Sequence, residues 1–145
     1  MSSIPDTIKV KAAGAEDVSF IQQAMDAYDA KMLPPENIRD LNFAVRDEKD
    51  EIIGGIIANT RYSTVYINTI WVDERYRRRG IGRKLIERVE REARKMGCVY
   101  SALGSWESFN TRHFYESLGY VIVSVSLDSP QGQVGYWFNK KLREK

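Results

Sequence analysis

Five arginines, Arg75, Arg77, Arg78, Arg79 and Arg83, crowd the stretch ERYRRRGIGRKLIERVE around the step Gly80-Ile81-Gly82. Guanidinium groups at this density suit a polyanion, because each carries a permanent charge and a planar fork of donors that matches phosphate oxygens. Glycine at positions 80 and 82 lets the backbone approach a ligand with no Cβ in the way. A helix starting here would add its own unpaired N–H groups and the positive end of its dipole. The turn therefore reads as a pyrophosphate cradle, with Arg77, Arg78, Arg79 and Arg83 screening the charge. Its spacing is neither the G-x-G-x-x-G of a dinucleotide fold nor the G-x-x-x-x-G-K-S/T of a P-loop, so neither nucleotide fold is supported. A short arginine cluster is equally what a solvated basic face looks like, and the turn by itself leaves both readings open.

Bulk composition makes any such site local. The chain has 145 residues, 43% of them hydrophobic, with 22 Lys and Arg against 20 Asp and Glu and a formal net charge of +2. That length suits one domain, residues 1–145, with a single core. The near balance of charge demands neither nucleic acid nor an anionic membrane. Cys98 is the sole cysteine and His113 the sole histidine, which excludes an intrachain disulfide and leaves too few soft ligands for an ordinary zinc site. The opening MSSIPDTIKVKAAG lacks the charged start and apolar run of a secretory signal, and no apolar run is long enough to span a bilayer. The expectation is a soluble cytoplasmic protein.

The elements that must hold the turn follow from periodicity. Thr7 to Ala13 alternates apolar and polar residues and predicts a strand. Val18, Ile21, Met25, Tyr28 and Met32 recur at helical steps, and Pro34-Pro35 must end that helix. Leu41 to Arg46, Ile52 to Thr60 and Thr64 to Val72 are rich in Ile, Val, Phe, Tyr and Thr, and their short connections predict an antiparallel meander. A second helix follows the arginine turn, with Ile81, Leu85, Ile86, Val89, Ala93 and Met96 on one side and a stop at Gly97. Arg83/Glu87, Glu87/Arg91, Arg88/Glu92 and Glu90/Arg94 lace its other side at i,i+4. Then come a strand from Cys98 to Leu103, parallel to its neighbour across the helix, a short helix over Asn110 to Leu118, and strands near Tyr120 to Leu127 and Gly135 to Leu142 about the turn DSPQGQ. The class is α/β (α+β), with a mixed sheet.

Arg77-Arg78-Arg79-Gly80-Ile81-Gly82 matches the R/Q-x-x-G-x-G/A signature of the GNAT N-acetyltransferase family, in that family's setting between its fourth strand and third helix. A second block, SFNTRHFYESLGY from Ser108 to Tyr120, is similar to the family's C-terminal acetyl-CoA block, in which Asn precedes a short helix carrying F-Y and closing with L-G-Y. The resemblance runs from Thr7 to Leu142. It implies a mostly antiparallel twisted sheet of about seven strands with about four helices, acetyl-CoA as donor and a primary amine, on a small molecule or a peptide, as acceptor. Carried over by position, backbone groups at Val72 would bind the pantetheine arm. Amides from Arg77 to Arg83, with Gly80 and Gly82, would cradle the pyrophosphate, Asn110 would touch the cofactor, and Tyr115 would protonate the departing thiolate. The likeness also allows a homodimer and implies no nucleic-acid or membrane partner.

Direct attack by an amine requires its deprotonation, since a lysine-like amine has a pKa of about 10.4. Glu36, Tyr66 and Asn68 are the positional candidates, and none is marked strongly enough to be named the base. Phe114 and Tyr115 beside Leu118 would also serve as simple core packing. Cys98 reads as a small buried residue and His113 as a surface residue. Trp71, Trp106 and Trp137 suit either a core or an acceptor pocket, and Trp106 with Glu107 borders the second block as candidate substrate contacts. Two alternatives stand beside the transferase: a non-catalytic acyl-CoA sensor, and a nucleic-acid surface at Arg75 to Lys84 whose binding would weaken steeply with salt.

Overall fold

The computed structural model describes residues 3–35, 38–127 and 130–143, and the chain divides into two compact units, Met1–Pro35 and Glu36–Lys145. In the first, helix α1 spans Ala15–Met32. The Asp17 carboxylate accepts from the Gly14 N–H at 3.0 Å and fixes its start. Leu33 N–H still reaches Asp29 O, and Pro34, which has no N–H to give, ends it. Its apolar stripe has no buried residue. The strand expected over Thr7 to Ala13 is not formed, and Val10 is fully exposed. Alternation makes a strand only where a neighbouring edge supplies cross-strand partners, and this segment has none among the described residues.

The second unit carries the sheet. Strands β1 (Phe43–Arg46), β2 (Ile52–Arg61) and β3 (Thr64–Val72) form the predicted meander, then helix α2 (Ile81–Lys95), β4 (Tyr100–Trp106), helix α3 (Arg112–Ser117), β5 (Val121–Ser126) and β6 (Gly135–Lys141) follow. The strand order is β1-β2-β3-β4-β6-β5. Every neighbouring pair is antiparallel except β3 and β4, which run parallel on either side of the α2 connection. The mixed, mostly antiparallel sheet is as expected, but it has six strands and not seven, and three α-helices and not four, among the described residues. The unformed segment at Thr7 to Ala13 accounts for the strand, and the arginine turn therefore lies between the third strand and second helix.

Leu85, Ile86, Val89 and Ala93 of α2 are buried against β2 and β3, with Ile56, Val65 and Ile67 opposite. Each large aliphatic group so covered contributes about 1.5 to 3 kcal/mol. Glu90 corrects the sequence reading, which placed it on the solvated side with Arg94. It is 3% exposed. Lys140 Nζ donates to both of its oxygens at 2.8 and 3.1 Å, and the Tyr120 hydroxyl donates to Oε2 at 2.9 Å and contacts Ser101 Oγ at 2.8 Å. Arg94 stays at 3.8 Å.

Two irregularities open the sheet. Ile57 pairs with Thr69 but Ala58 with Ile67, so Asn68 is an extra residue in β3 and bends that strand. The β3/β4 ladder stops at Ile67↔Leu103, while β3 continues to Val72 and β4 to Trp106. Beyond that pair the two strands part.

Candidate active site

The cradle assembles where the strands part. After Val72, Asp73 caps a single 3-10 turn, Glu74–Tyr76, and its carboxylate accepts from the Arg75 backbone N–H at 2.9 Å and from the Arg75 guanidinium at 3.0 Å. That guanidinium holds the Asp73 carboxyl below its ordinary range. Arg78 and Gly80 then take left-handed φ values of 64° and 82°, which turns the chain sharply into α2. Lys84 N–H bonds Gly80 O, so the amides of Ile81, Gly82 and Arg83 precede the first intrahelical bond. They are left for a ligand or water.

The arginines divide their work. Arg75 is paired with Asp73. Arg77 Nε donates to Val72 O at 3.0 Å, so its side chain closes the turn and occupies a carbonyl expected to meet the pantetheine arm. Arg79 lies over the Tyr76 ring, 5.4 Å from its centroid. Arg83 reaches Ser117 Oγ at 3.4 Å and Glu87 at 4.0 Å. Arg78 makes no hydrogen bond, ion pair or ring contact with another described residue, and it lines the cleft.

That cleft, of about 840 Å³, brings Val72, Arg77, Arg78, Gly80, Gly82, Arg83 and Asn110 together. Asn110 has a left-handed φ of 55° at the end of a 3-10 turn over Glu107–Phe109, a conformation Asn tolerates better than most residues. Ser105 Oγ and Thr111 Oγ1, 2.8 Å apart, tie β4 to the start of α3. Gly82 has a second reason to be glycine: a Cβ there would lie 3.2 Å from Phe114 Cζ, so its absence lets α3 pack on α2. Phe109, Thr111 and Phe114 also line the cleft. Phe109 and Thr111 had adjacency to Asn110 as their one signal in the sequence, and Phe114 its place in the F-Y pair.

Arg79 and Tyr115 are not among the lining residues. Tyr115 is 6% exposed and packs on Phe114, Tyr120 and Phe138. Burial pushes its phenol pKa up, and its hydroxyl makes no hydrogen bond to another described residue. Glu107 accepts from the Tyr136 hydroxyl at 3.2 Å. Trp106 projects from the sheet face opposite α2. Tyr66 projects there as well, and Asn68 donates to Asn59. Glu36 lies outside the described residues. Cys98 is buried, which raises its thiol pKa, and His113 is exposed. No cluster of metal-binding side chains occurs among the described residues, and no described helix is long and apolar enough to cross a membrane.

Helix amides that precede the first intrahelical bond, together with Arg78 and a parted sheet, give this cleft donors of the kind a pyrophosphate needs. The profile of the Acetyltransferase (GNAT) family matches residues 15–120, and the chain belongs to that family. An acetyltransferase of Agrobacterium fabrum is 29% identical over 89% of this chain and 93% of its own. Blasticidin-S acetyltransferase of Streptomyces morookaense is 31% identical over 66% of this chain and 70% of its own. The crystal structure of an acetyltransferase from Bacillus cereus superposes with a TM-score of 0.83 at 26% identity, covering 92% of this chain and 97% of that one. The protein is an acetyl-CoA-dependent N-acetyltransferase.

Proposed function

We propose that this enzyme acetylates a primary amine on a small molecule by direct attack, within a single catalytic domain. The convergence of Val72, the Arg77 to Arg83 backbone and Asn110 on one cleft at the sheet's opening carries the reading. Bound acetyl-CoA supplies the acetyl thioester. The Ile81, Gly82 and Arg83 amides and the Arg78 guanidinium hold the pyrophosphate, and Asn110 closes the cleft from the α3 side. Backbone N–H groups of β3 beyond Ile67, freed from β4, polarise the carbonyl oxygen. Tyr115, which does not line the cleft but packs on the cleft residue Phe114 and stays protonated, is assigned the proton for the departing sulfur. No residue is assigned as base.

A relative named blasticidin-S acetyltransferase supports a small-molecule acceptor over a peptide, and the family match across residues 15–120 supports one domain. Nothing favours a sensor without activity. A nucleic-acid role for the arginines is disfavoured by their engagement with Asp73, Val72 and Tyr76. A cytoplasmic location and a homodimer belong to the same proposal, and fractionation and sedimentation velocity test them. The deciding experiment pairs calorimetric titration with acetyl-CoA and thiol release across an amine panel. Micromolar binding with release for at least one amine is expected; binding without release for any would return the sensor.

A further inference from the structure

All three tryptophans of the chain stand on the sheet face opposite α2, each partly exposed: Trp71 at 47%, Trp106 at 39% and Trp137 at 40%. Strand alternation puts them there, since Ile70, Val72, Leu103 and Phe138 face the core. Two of them pack against a glycine of the neighbouring strand. Trp137 is the register partner of Gly104, and Trp106 of Gly135. A Cβ on Gly104 would lie 3.2 Å from Trp137 Cε3, and one on Gly135 3.2 Å from Trp106 Cζ3. A Cβ at either glycine would be tighter than ordinary contact, and the indole would have to shift by a few tenths of an ångström to admit it. The Tyr66 ring flanks Trp137 at 6.4 Å.

Position gives this platform its meaning. Gly104 and Trp106 belong to the part of β4 beyond its last pairing with β3, and Trp71 belongs to the corresponding part of β3. The rings thus border the opening between the strands, and Trp71 also lines the cofactor cleft on the other side. A reacting group delivered through that opening meets the acceptor on the tryptophan face. Beside the rings this face offers Asn59, Asn68 and Thr69, with no carboxylate among its strand residues and Asp40, bridged to Asn59, at its border. A polyamine would find no carboxylate among the strand residues beside the rings, so its several ammonium groups would exchange water for little more than cation–π contact. A flat conjugated ring, by contrast, gains stacking on the exposed indole faces and needs only neutral hydrogen bonds.

Resting on the transferase reading, we infer that Trp137 and Trp106, seated on Gly104 and Gly135, form with Trp71 an acceptor subsite for amines borne on an aromatic or heteroaromatic ring. The test measures thiol release from acetyl-CoA with phenylethylamine, tryptamine and aminomethylpyridine against spermidine and free lysine. A ring-bearing amine should exceed spermidine in kcat/KM by at least about tenfold, the order of one aromatic stacking contact. Trp137→Ala should raise KM for that amine about tenfold while calorimetric affinity for acetyl-CoA is unchanged, and Trp137→Phe should restore most of the loss. Ring-bearing amines should also quench tryptophan fluorescence of the wild-type protein saturated with coenzyme A, a readout that needs no variant. Spermidine as the better acceptor, an unmoved KM in folded Trp137→Ala, or no quenching would each overturn the subsite while leaving the cofactor cleft standing. Absence of acetyl-CoA binding in the wild type would instead overturn the transferase reading and the subsite with it.

Discussion

Helix α2 carries two concentrations of charge that obey opposite rules. Just before and at its start, Arg78 and the first amides have no partner among the described residues and face an open cleft. Six residues past the first turn, Glu90 is nearly inaccessible and both its oxygens are occupied by Lys140 and Tyr120. Unpaired donors at a solvated surface cost little, because water satisfies them until a ligand displaces it. An unpaired carboxylate inside the core would cost several kcal/mol, so the fold surrounds it with donors. Binding groups are thus recognised by what they lack, and structural ones by how completely they are engaged.

The largest effect should come from the buried charge. Glu90→Ala leaves Lys140 and the Tyr120 hydroxyl without their acceptor and should lower stability by about 3 to 5 kcal/mol in urea denaturation. Coenzyme A affinity of the remaining folded protein should not change. A loss of affinity with intact stability would reverse the contrast between the two regions. Next is Tyr115→Phe, expected to reduce kcat about a hundredfold with acetyl-CoA affinity spared; full activity would remove the phenol from the mechanism.

Gly82→Asp should weaken coenzyme A binding by more than about tenfold, through a misplaced negative charge and the displacement of Phe114. Calorimetry with unchanged affinity would contradict the cradle. The mildest substitution is Arg78→Ala, an exposed and uncommitted side chain, for which about a three- to fivefold loss of affinity and a stability change within about 0.5 kcal/mol are expected. A pH scan sharpens the buried side of the comparison. Burial raises the phenol pKa of both Tyr115 and Tyr120, and the Glu90 carboxylate adds to the shift at Tyr120. The stability they contribute is complete below about pH 10, the unfolded value. It is lost as pH rises from there toward the folded values, because the unfolded chain releases protons that the fold retains. The urea midpoint should therefore fall on the alkaline side.

Much of this was legible from residue spacing. The β3 limits, the start of α2, the stop at Gly97 and the meeting of two motif blocks follow from local rules, because turns, caps and periodicity are written in neighbouring residues. Glu90 was misread although a signal existed: four residues after Ile86 and three before Ala93, it falls on the helix's buried stripe, and charge alone argued it outward. Thr7 to Ala13 had the strand pattern without a partner, and pattern cannot supply one. The separate tasks of the arginines were not legible, since Asp73, Val72 O and the Tyr76 ring compete for them only once the turn has closed. The indole-on-glycine pairs were hidden for the same reason, each joining positions about thirty residues apart in sequence across a register that only the folded sheet defines.

The brief ladder between β3 and β4 makes the sheet two leaves bound along a short spine. On one side β1, β2 and β3 are bonded along their lengths, on the other β4, β6 and β5, and the ladder of Thr64 to Ile67 with Tyr100 to Leu103 stitches the leaves together. A binding of that kind sets an aperture. The spacing of the two leaves at their free edges starts from this spine, so the reach of the enzyme toward its acceptor is inherited from the geometry of four backbone pairs.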